Sequence, residues 1–425
     1  MGFRNAFVRL KDRFPSSRLD ASVMTSGNTV IISAVETNDH HGVGVYLARL
    51  FGSTPGVIAL RSRTMYGGSC LFSPRSYEIR RAISGDSGPW RSRMSALCKG
   101  LEVARIVAVP YFPEDFENAL LCKEQTGARL CVYLMDDQNI LEPEVSDRLV
   151  DQLLRKSDLR LAISPEMRAA YQTKFGYDFG FFPPVVRSDE IVGEDFVGTL
   201  ETDRLALTGN FWRKATFEKF CALIGRTGVQ IDWFGKGPSA SWLEANPERL
   251  AEIGIHCLGF LPAPEFVTRL RRYPVMIVPS GSLDSEDGNL AFSHFSLPSR
   301  LVFGLAQARI PTLVLGHPET AAGRFVRQLG IGEISAYDTE AFKFTLAKML
   351  DHDYQRITRN RCLEVSHRFV AKDPGAWILH SVEKGIPLAS PFDRLLETPD
   401  AIALIGRKWL KKRISRWAWL RSATR

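Results

Sequence analysis

The residues best suited to chemistry in this sequence are glycines and basic side chains that follow short apolar runs. In LTGNFWRK, Gly209 and Asn210 end such a run, and Arg213 and Lys214 open the helix predicted after it. A helix N-terminus offers free N–H groups and a positive dipole, and basic side chains add formal charge, so this segment could bind a phosphate. Solvated basic residues on a surface helix are the alternative interpretation.

A second phosphate-binding candidate is the start of a helix predicted over 297–308. In FSLPSR, Ser296 is the expected helix cap, and Leu297 and Ser299 lie at the first turn. Arg300 adds a positive charge next to the free N–H groups of that turn. The alternative is a buried helix start that binds no ligand.

Three titratable residues are candidates for catalysis. His41 precedes a glycine-rich loop, Asp136 ends a predicted strand, and His294 lies close to the helix predicted over 297–308. An imidazole or a carboxylate in such a position could move a proton or hydrogen-bond a hydroxyl. Loop histidines without a catalytic role and an Asx turn or helix cap at the aspartate are the alternatives.

Three neighbouring residues are candidates for contact with a second substrate. Gly42 and Gly44 lie in the loop after the first predicted strand, and Asp137 follows Asp136. Turn glycines and an Asx turn explain the same residues without a ligand.

The order of predicted elements indicates the fold class. From residue 27 onward, short apolar runs alternate with helical patterns, which is typical of parallel α/β architecture. The pattern is interrupted after Phe181, where adjacent prolines and a polar stretch forbid a helix. We therefore predict two doubly wound α/β domains, residues 21–192 and 193–385, and a C-terminal segment, residues 386–425. Ligands in such sheets bind at the carboxyl ends of the strands.

The second half of the chain carries a series of motifs in a fixed order. After LTGNFWRK, the segment IDWFGKGP contributes Gly235 and Gly237, and IHCLGFLPAPEF contributes Leu258 and Gly259. YPVMIVPS ends at Ser280 and precedes FSLPSRLVFGLAQARIPTLVLG. Together with NDHHGVGVYLARLF and VYLMDDQ in the first half, these motifs resemble the GT-B glycosyltransferases, specifically the large retaining family that uses nucleotide sugars (group 1, family 4-like).

The resemblance implies two Rossmann-like domains that face a central cleft, with the nucleotide-sugar donor on the second domain and the acceptor on the first. It implies a hexosyltransferase-like enzyme that transfers the sugar, with retention, to a glycan or lipid-linked acceptor in polysaccharide or glycolipid assembly. No metal and no cofactor are expected, because Arg, Lys and helix N-termini can carry the diphosphate charge. The donor-binding residues would be Gly209, Asn210, Arg213, Lys214, Gly235, Gly237, Leu258, Gly259, Ser280, Ser296, Leu297, Ser299 and Arg300.

The sequence departs from the family pattern in one respect. The family usually places two glutamates, eight residues apart, at the start of the donor helix and within it. Here no Asp or Glu occurs between Asp287 and Glu319, and the two positions fall near 293–294 and 303–304. A non-catalytic GT-B scaffold that binds a nucleotide or a glycan is therefore the alternative function.

The formal net charge of +8 is concentrated in residues 401–425, which hold eight Lys and Arg and no Asp or Glu. Residues 1–400 therefore sum to zero, which argues against a nucleic-acid-binding protein. The tail mixes its charges with Trp409, Trp417 and Trp419, and it predicts a basic amphipathic helix on an anionic membrane surface. A terminal helix packed over the domain junction is the alternative.

Cysteine usage and hydropathy bear on the compartment. The seven cysteines include no CxxC pair, no signal-peptide h-region is found, and no apolar run approaches about 18 residues. We therefore expect a cytoplasmic protein, peripheral on the inner face of the membrane, with reduced cysteines that act as small apolar residues.

Overall fold

A computed structural model of the 425-residue chain describes residues 27–38, 40–71, 73, 75–79, 88–193, 203–211, 213–235, 247–261, 263–387 and 392–400. These residues form two parallel β-sheets with helices on their faces, which confirms the predicted α/β class. Gly237 and the tail 401–425 lie outside the described residues.

The first sheet is built from residues 28–181. Its strands are β1 (Asn28–Ser33), β2 (Val57–Arg61), β3 (Ser76–Glu78), β4 (Val103–Val109), β5 (Arg129–Leu134), β6 (Leu159–Ala162) and β7 (Gly180–Phe181). They pair in parallel in the order β3-β2-β1-β4-β5-β6-β7. The central strands are continuous apolar runs because both faces of a parallel sheet are covered by helices. Those helices are α1 (Gly42–Phe51), α2 (Gly88–Lys99), α3 (Pro113–Thr126), α4 (Asp147–Lys156) and α5 (Pro165–Phe175).

The second sheet is built from residues 205–335. Its strands are β8 (Leu205–Thr208), β9 (Ile231–Phe234), β10 (Ile255–Gly259), β11 (Met276–Pro279), β12 (Thr312–Leu315) and β13 (Gly332–Ser335), in the order β10-β9-β8-β11-β12-β13. Its helices are α6 (Lys214–Thr227), α7 (Pro247–Glu252), α8 (Ala263–Leu270), α9 (Leu290–Phe295), α10 (Ser299–Phe303), α11 (Ala321–Leu329), α12 (Thr339–Leu350) and α13 (His352–Ser366).

The last described helix, α14 (Pro374–Lys384), returns to the first domain. Trp377 stacks on Phe182 with ring centroids 5.0 Å apart, and Glu383 pairs with the buried Arg105 of β4 at 3.3 Å. These contacts place α14 against the first sheet, although its residues belong to the predicted second domain. The boundary between the domains at residue 192 stays a prediction.

Two hydrogen bonds join the first domain to the end of α9. The Ser164 hydroxyl, at the N-cap of α5, donates to the carbonyl oxygen of Phe295 at 2.6 Å. The Ser296 hydroxyl donates to Oδ1 of Asp136 at 2.5 Å, directly after β5. Both contacts lie between α9 and α10, so the first domain fixes the segment that leads into α10.

A buried ion pair also crosses between the domains. Glu166 of α5 accepts a hydrogen bond from Nε of Arg324 in α11 at 3.0 Å, and the same guanidinium reaches Glu319 at 3.0 Å. Burial raises the pKa of Glu166 to about 7, and the charge of Arg324 opposes that rise without cancelling it.

This shift predicts the pH dependence of stability. Between pH of about 4.5 and about 7 the unfolded chain loses the Glu166 proton while the folded chain keeps it, so the free energy of unfolding falls as pH rises through that window. Relative to Glu166→Gln, the wild-type chain should lose at most about 3 kcal/mol across the window. Denaturant unfolding at several pH values measures the difference. The exposed Glu252→Gln change controls for a general charge effect, and an equal slope in Glu166→Gln and wild type would contradict the assignment.

Candidate functional site

A small cleft opens at the carboxyl ends of β8 and β11, where parallel α/β sheets bind ligands. Four of the residues that the sequence predicts to bind the donor line this cleft: Asn210, Arg213, Ser280 and Arg300. Its lining is Asn210, Phe211, Arg213, Thr216, Pro279, Ser280, Gly281, Asp287, Asn289, Phe292, Ser293 and Arg300.

Arg300 provides the positive charge at the floor of this cleft. Its Nη1 donates to the carbonyl oxygen of Thr208 at 2.6 Å, whereas its Nε is buried and has no hydrogen-bond partner. Burial lowers the pKa of Arg300 to about 10, and no carboxylate among the described residues offsets that cost. A desolvated guanidinium with a free donor is suited to an anionic ligand.

Gly209 makes room for this guanidinium. It has φ +86°, and a Cβ atom at this position would lie 1.7 Å from Nη1 of Arg300. Its carbonyl oxygen accepts a hydrogen bond from the Trp233 indole at 2.7 Å, and the neighbouring Asn210 has a buried, unpartnered Oδ1. Gly235 is also sterically required, because a Cβ there would lie 2.7 Å from the Gly209 carbonyl oxygen. Gly235 is therefore needed for the close approach of two backbone segments, and Gly209 is needed to make room for Arg300.

Arg213 and Lys214 differ in their environment. Arg213 occupies the N-cap position of α6 and lines the cleft. Lys214 is turned towards Glu218, at 3.5 Å, with 64% of its side chain exposed, and it does not line the cleft. The structure therefore associates Arg213, and not Lys214, with the cleft.

The predicted helix cap at Ser296 is wrong. Ser296 is the C-cap of α9 and its hydroxyl bonds Asp136, while Pro298 occupies the N-cap position of α10. Leu297 is buried, and Ser299 is the first residue of α10, which continues as a π-helix over Gly304–Ala308. The helix starts two residues later than expected because proline at 298 favours the extended conformation seen before a helix.

Two other predicted donor-binding residues, Leu258 and Gly259, lie outside the cleft lining. Leu258 and Gly259 end β10 at the edge of the sheet, and Gly259 accepts a hydrogen bond from the Gly235 amide at 3.0 Å. Neither residue lines the cleft, whereas Ser280 does.

The carboxylate in the cleft lining is Asp287, which precedes α9. Its Oδ2 accepts from the Leu283 amide at 2.9 Å and its Oδ1 from the Asn289 amide at 3.0 Å. Leu283 has φ +58°, an unfavourable conformation for a residue with a Cβ atom, and the bond to Asp287 helps to hold it. Glu286 instead pairs with Lys219 at 2.7 Å.

On the first domain, His41 caps α1. Its Nδ1 accepts a hydrogen bond from the Gly44 amide at 3.3 Å, and its Nε2 contacts the carbonyl oxygen of Glu36. The ring stacks on Tyr66 with centroids 4.6 Å apart, and burial lowers the pKa of His41. Because both ring nitrogens are engaged, this geometry supports a capping role and gives no support to proton transfer by His41.

The adjacent glycines divide between packing and open space. A Cβ at Gly44 would lie 2.1 Å from the Asn38 carbonyl oxygen, so Gly44 is needed for the close approach of α1 to its loop. A Cβ at Gly42 would meet no atom within 4 Å.

Glu36 is the loop residue that sequence reasoning missed. Its buried carboxylate accepts hydrogen bonds from the amides of Met65, Tyr66 and Gly67 at 3.0–3.3 Å. Burial alone would raise the pKa of Glu36, but these bonds outweigh it and lower the pKa. The carboxylate thereby holds the loop after β2 against the loop after β1.

Asp136 and Asp137 have different surroundings at the end of β5. Burial raises the pKa of Asp136, and its hydrogen bond from Ser296 opposes the rise. Asp137 accepts hydrogen bonds from Tyr171 and from four backbone amides of residues 139–142, so it orders its own loop. The Asx-turn interpretation of Asp137 fits this geometry better than substrate contact.

His294 lies on α9, outside the cleft lining. Its Nδ1 is buried without a hydrogen-bond partner, and burial, followed by the charge of Arg324, lowers its pKa. No group of three or more His, Cys, Asp or Glu that could hold a metal ion occurs in the part of the chain that the structure describes. No helix in that part is long and apolar enough to cross a membrane.

No family model and no curated protein matches the chain by sequence. Solved structures do match. The HepE protein of Anabaena in complex with UDP-glucose has a TM-score of 0.62 at 9% identity, over 85% of this chain and 100% of that one. The lipopolysaccharide glycosyltransferase WaaG gives 0.58 at 11% identity over 85% and 100%, and Acinetobacter baumannii MurG gives 0.51 at 12% identity over 84% and 99%. The chain therefore has a GT-B glycosyltransferase-like fold.

Proposed function

We propose that this protein is a glycosyltransferase that binds a nucleotide sugar in the cleft of its second domain. The observation that carries the proposal is Arg300, a desolvated cation with an unpartnered Nε and no carboxylate partner among the described residues. A diphosphate would neutralise this charge, and Arg213 at the start of α6 would add a second one.

The comparisons support the choice of ligand. Two of the similar proteins were crystallised with UDP or UDP-glucose, HepE of Anabaena and MnaA of S. aureus. In this chain the cleft lies after β8 and β11, as expected for ligand binding in a parallel sheet. Titration with a panel of nucleotides and nucleotide sugars, as described below, would identify the base and the sugar of the donor.

The acceptor side is proposed on the first domain. Asp136 is a first-domain carboxylate that accepts a hydrogen bond from Ser296, which lies just before α10. We assign a glycan or lipid-linked acceptor to this side, and transfer with retention, on the family resemblance of the motifs. The catalytic roles of Asp136 and His294 are part of the proposal.

A non-catalytic scaffold is the second candidate function. It is favoured by the absence of any Asp or Glu between Asp287 and Glu319. Such a protein would bind the nucleotide sugar without cleaving it, so release of nucleoside diphosphate and transfer of the sugar to an acceptor separate the two functions.

Replacing Arg300 should separate ligand binding from stability. Arg300→Met removes the charge, so affinity for a nucleoside diphosphate should fall at least about tenfold in titration calorimetry against a nucleotide panel. The unfolding free energy without ligand should change by less than about 1 kcal/mol, because the lost bond to Thr208 is offset by removal of a desolvated charge that has no carboxylate partner. Arg300→Lys should retain part of the binding. Unchanged affinity in Arg300→Met would contradict the proposal.

The two basic residues at the start of α6 provide a second test. Arg213→Ala should weaken diphosphate binding about tenfold, since a charge-assisted contact is lost. The matched control is Arg226→Ala, an exposed arginine in the last turn of the same helix. Lys214→Ala tests whether Lys214 also binds the diphosphate. The sequence predicts a loss of affinity similar to that of Arg213→Ala, whereas the ion pair of Lys214 with Glu218 predicts a smaller loss. A larger effect of Arg226→Ala than of Arg213→Ala would exclude this site.

The basic tail is proposed to hold the enzyme at an anionic membrane surface. Deleting residues 401–425 removes eight positive charges, so binding to anionic vesicles in low salt should be lost in a sedimentation assay. Neutral phosphatidylcholine vesicles are the control. Unchanged co-sedimentation of the shortened chain would remove the tail from the proposal.

A further inference from the structure

The first domain contains a pair of cysteines that the proposed function does not use. Cys98 lies at the end of α2, Cys122 lies in α3, and their Sγ atoms are 3.9 Å apart. Both thiols are free, and the two residues are only 6% and 1% exposed. A disulfide needs a sulfur–sulfur distance of about 2.05 Å, so an approach of about 2 Å brings the pair together.

Other contacts already hold the two helices face to face. The Trp90 indole donates to Oδ1 of Asn118 at 2.8 Å, and the Ser95 hydroxyl donates to Oε1 of Gln125 at 3.1 Å. Along α3 these contacts flank Cys122. Little chain entropy is therefore lost when the two thiols join.

A surface groove reaches one thiol of the pair. A solvent-open cavity of about 430 Å³ is lined by Cys98 together with Gly27, Leu101 and Thr126, among others. Cys122 does not line it. A reagent from solution therefore meets Cys98 first.

The effect of each thiol on the pKa of the other also indicates that Cys98 reacts before Cys122. The hydrogen bond between them lowers the pKa of Cys98 and raises the pKa of Cys122. Because the thiolate is the nucleophile in thiol–disulfide exchange, Cys98 is the attacking residue and Cys122 the resolving one.

We propose that Cys98 and Cys122 form a reversible disulfide with a small-molecule disulfide, such as oxidised glutathione, as the oxidant. The Cys98 thiolate attacks one sulfur of the oxidant, forms a mixed disulfide and releases one glutathione thiol. Cys122 then loses its proton to solvent, attacks the Cys98 sulfur and releases the second glutathione thiol. Two protein thiols are oxidised, and one small disulfide is reduced to two thiols.

This site is separate from the donor cleft. Gly27 and Val103, which line the groove, lie at the amino ends of β1 and β4, whereas the cleft lies at the carboxyl ends of β8 and β11. Oxidation should therefore leave nucleotide binding unchanged, and the proposal stands or falls independently of the proposed function.

The test is a thiol count on the purified full chain. After equilibration with oxidised glutathione and alkylation of the remaining thiols, Cys98 and Cys122 should both be protected from alkylation and carry no glutathione. Peptide mapping should find Cys98 linked to Cys122, with the loss of two hydrogen atoms, and a dithiol reductant should restore all seven thiols.

Single variants test the order of the steps. Cys122→Ala should hold one glutathione on Cys98, whereas Cys98→Ala should leave Cys122 unmodified. Cys362→Ala, which removes a buried thiol of the second domain, is the control and should still form the link between Cys98 and Cys122, and thermal unfolding verifies that each variant folds. Seven retained thiols in the wild type, a different linked pair such as Cys221 with Cys257, or glutathione on Cys122 would overturn the proposal.

Discussion

The proposed donor cleft depends on one partly buried cation. Arg300 is held by the carbonyl oxygen of Thr208, the last residue of β8, and it fits only because Gly209 has no Cβ atom. The cost of desolvating a guanidinium is normally offset by a carboxylate. Asp287, the carboxylate of the cleft lining, accepts hydrogen bonds from the Leu283 and Asn289 amides and forms no ion pair with Arg300 among the described residues, so the bound diphosphate that we propose would supply the compensation. The position of α10, which carries Arg300, therefore determines the binding site.

That position is shared between the two domains. Ser164 and Asp136 of the first domain bind Phe295, the last residue of α9, and Ser296, its C-cap. Glu190, close to the predicted domain boundary, contacts the π-helix that continues α10, because it pairs with Arg49 of α1 and accepts a hydrogen bond from Gln307 at 3.2 Å. Any rotation of the domains would move α10, and Arg300 with it, relative to the first sheet. If the proposed donor binds to Arg300, a rotation of the domains would therefore also change its position relative to the first sheet.

The sequence predicted the parts of this structure that depend on local patterns. The strand predicted before Asp136 is β5 (Arg129–Leu134), and Asn210, which follows the glycine at the end of β8, lines the cleft. The strands β3 (SYE), β7 (GF) and β13 (GEIS) have too few apolar positions to be recognised from a single sequence. The roles of Glu36 and Ser296 were unpredictable for another reason. Their partners lie 29 to 31 and 160 residues away in sequence, so only the folded chain brings them together.

The missing glutamates remove less recognition capacity than the sequence suggests. Asp287 lies in the loop that precedes α9, and it lines the cleft together with Asn289 and Ser293. Each of its oxygens accepts one backbone amide, and a carboxylate oxygen has two acceptor positions, so both oxygens can still accept a hydroxyl proton. The two amide bonds also fix the carboxylate in place, which lowers the entropy lost when a sugar hydroxyl binds. Under the proposed function, this preorganised aspartate would accept hydrogen bonds from the donor sugar in place of an acidic residue in α10.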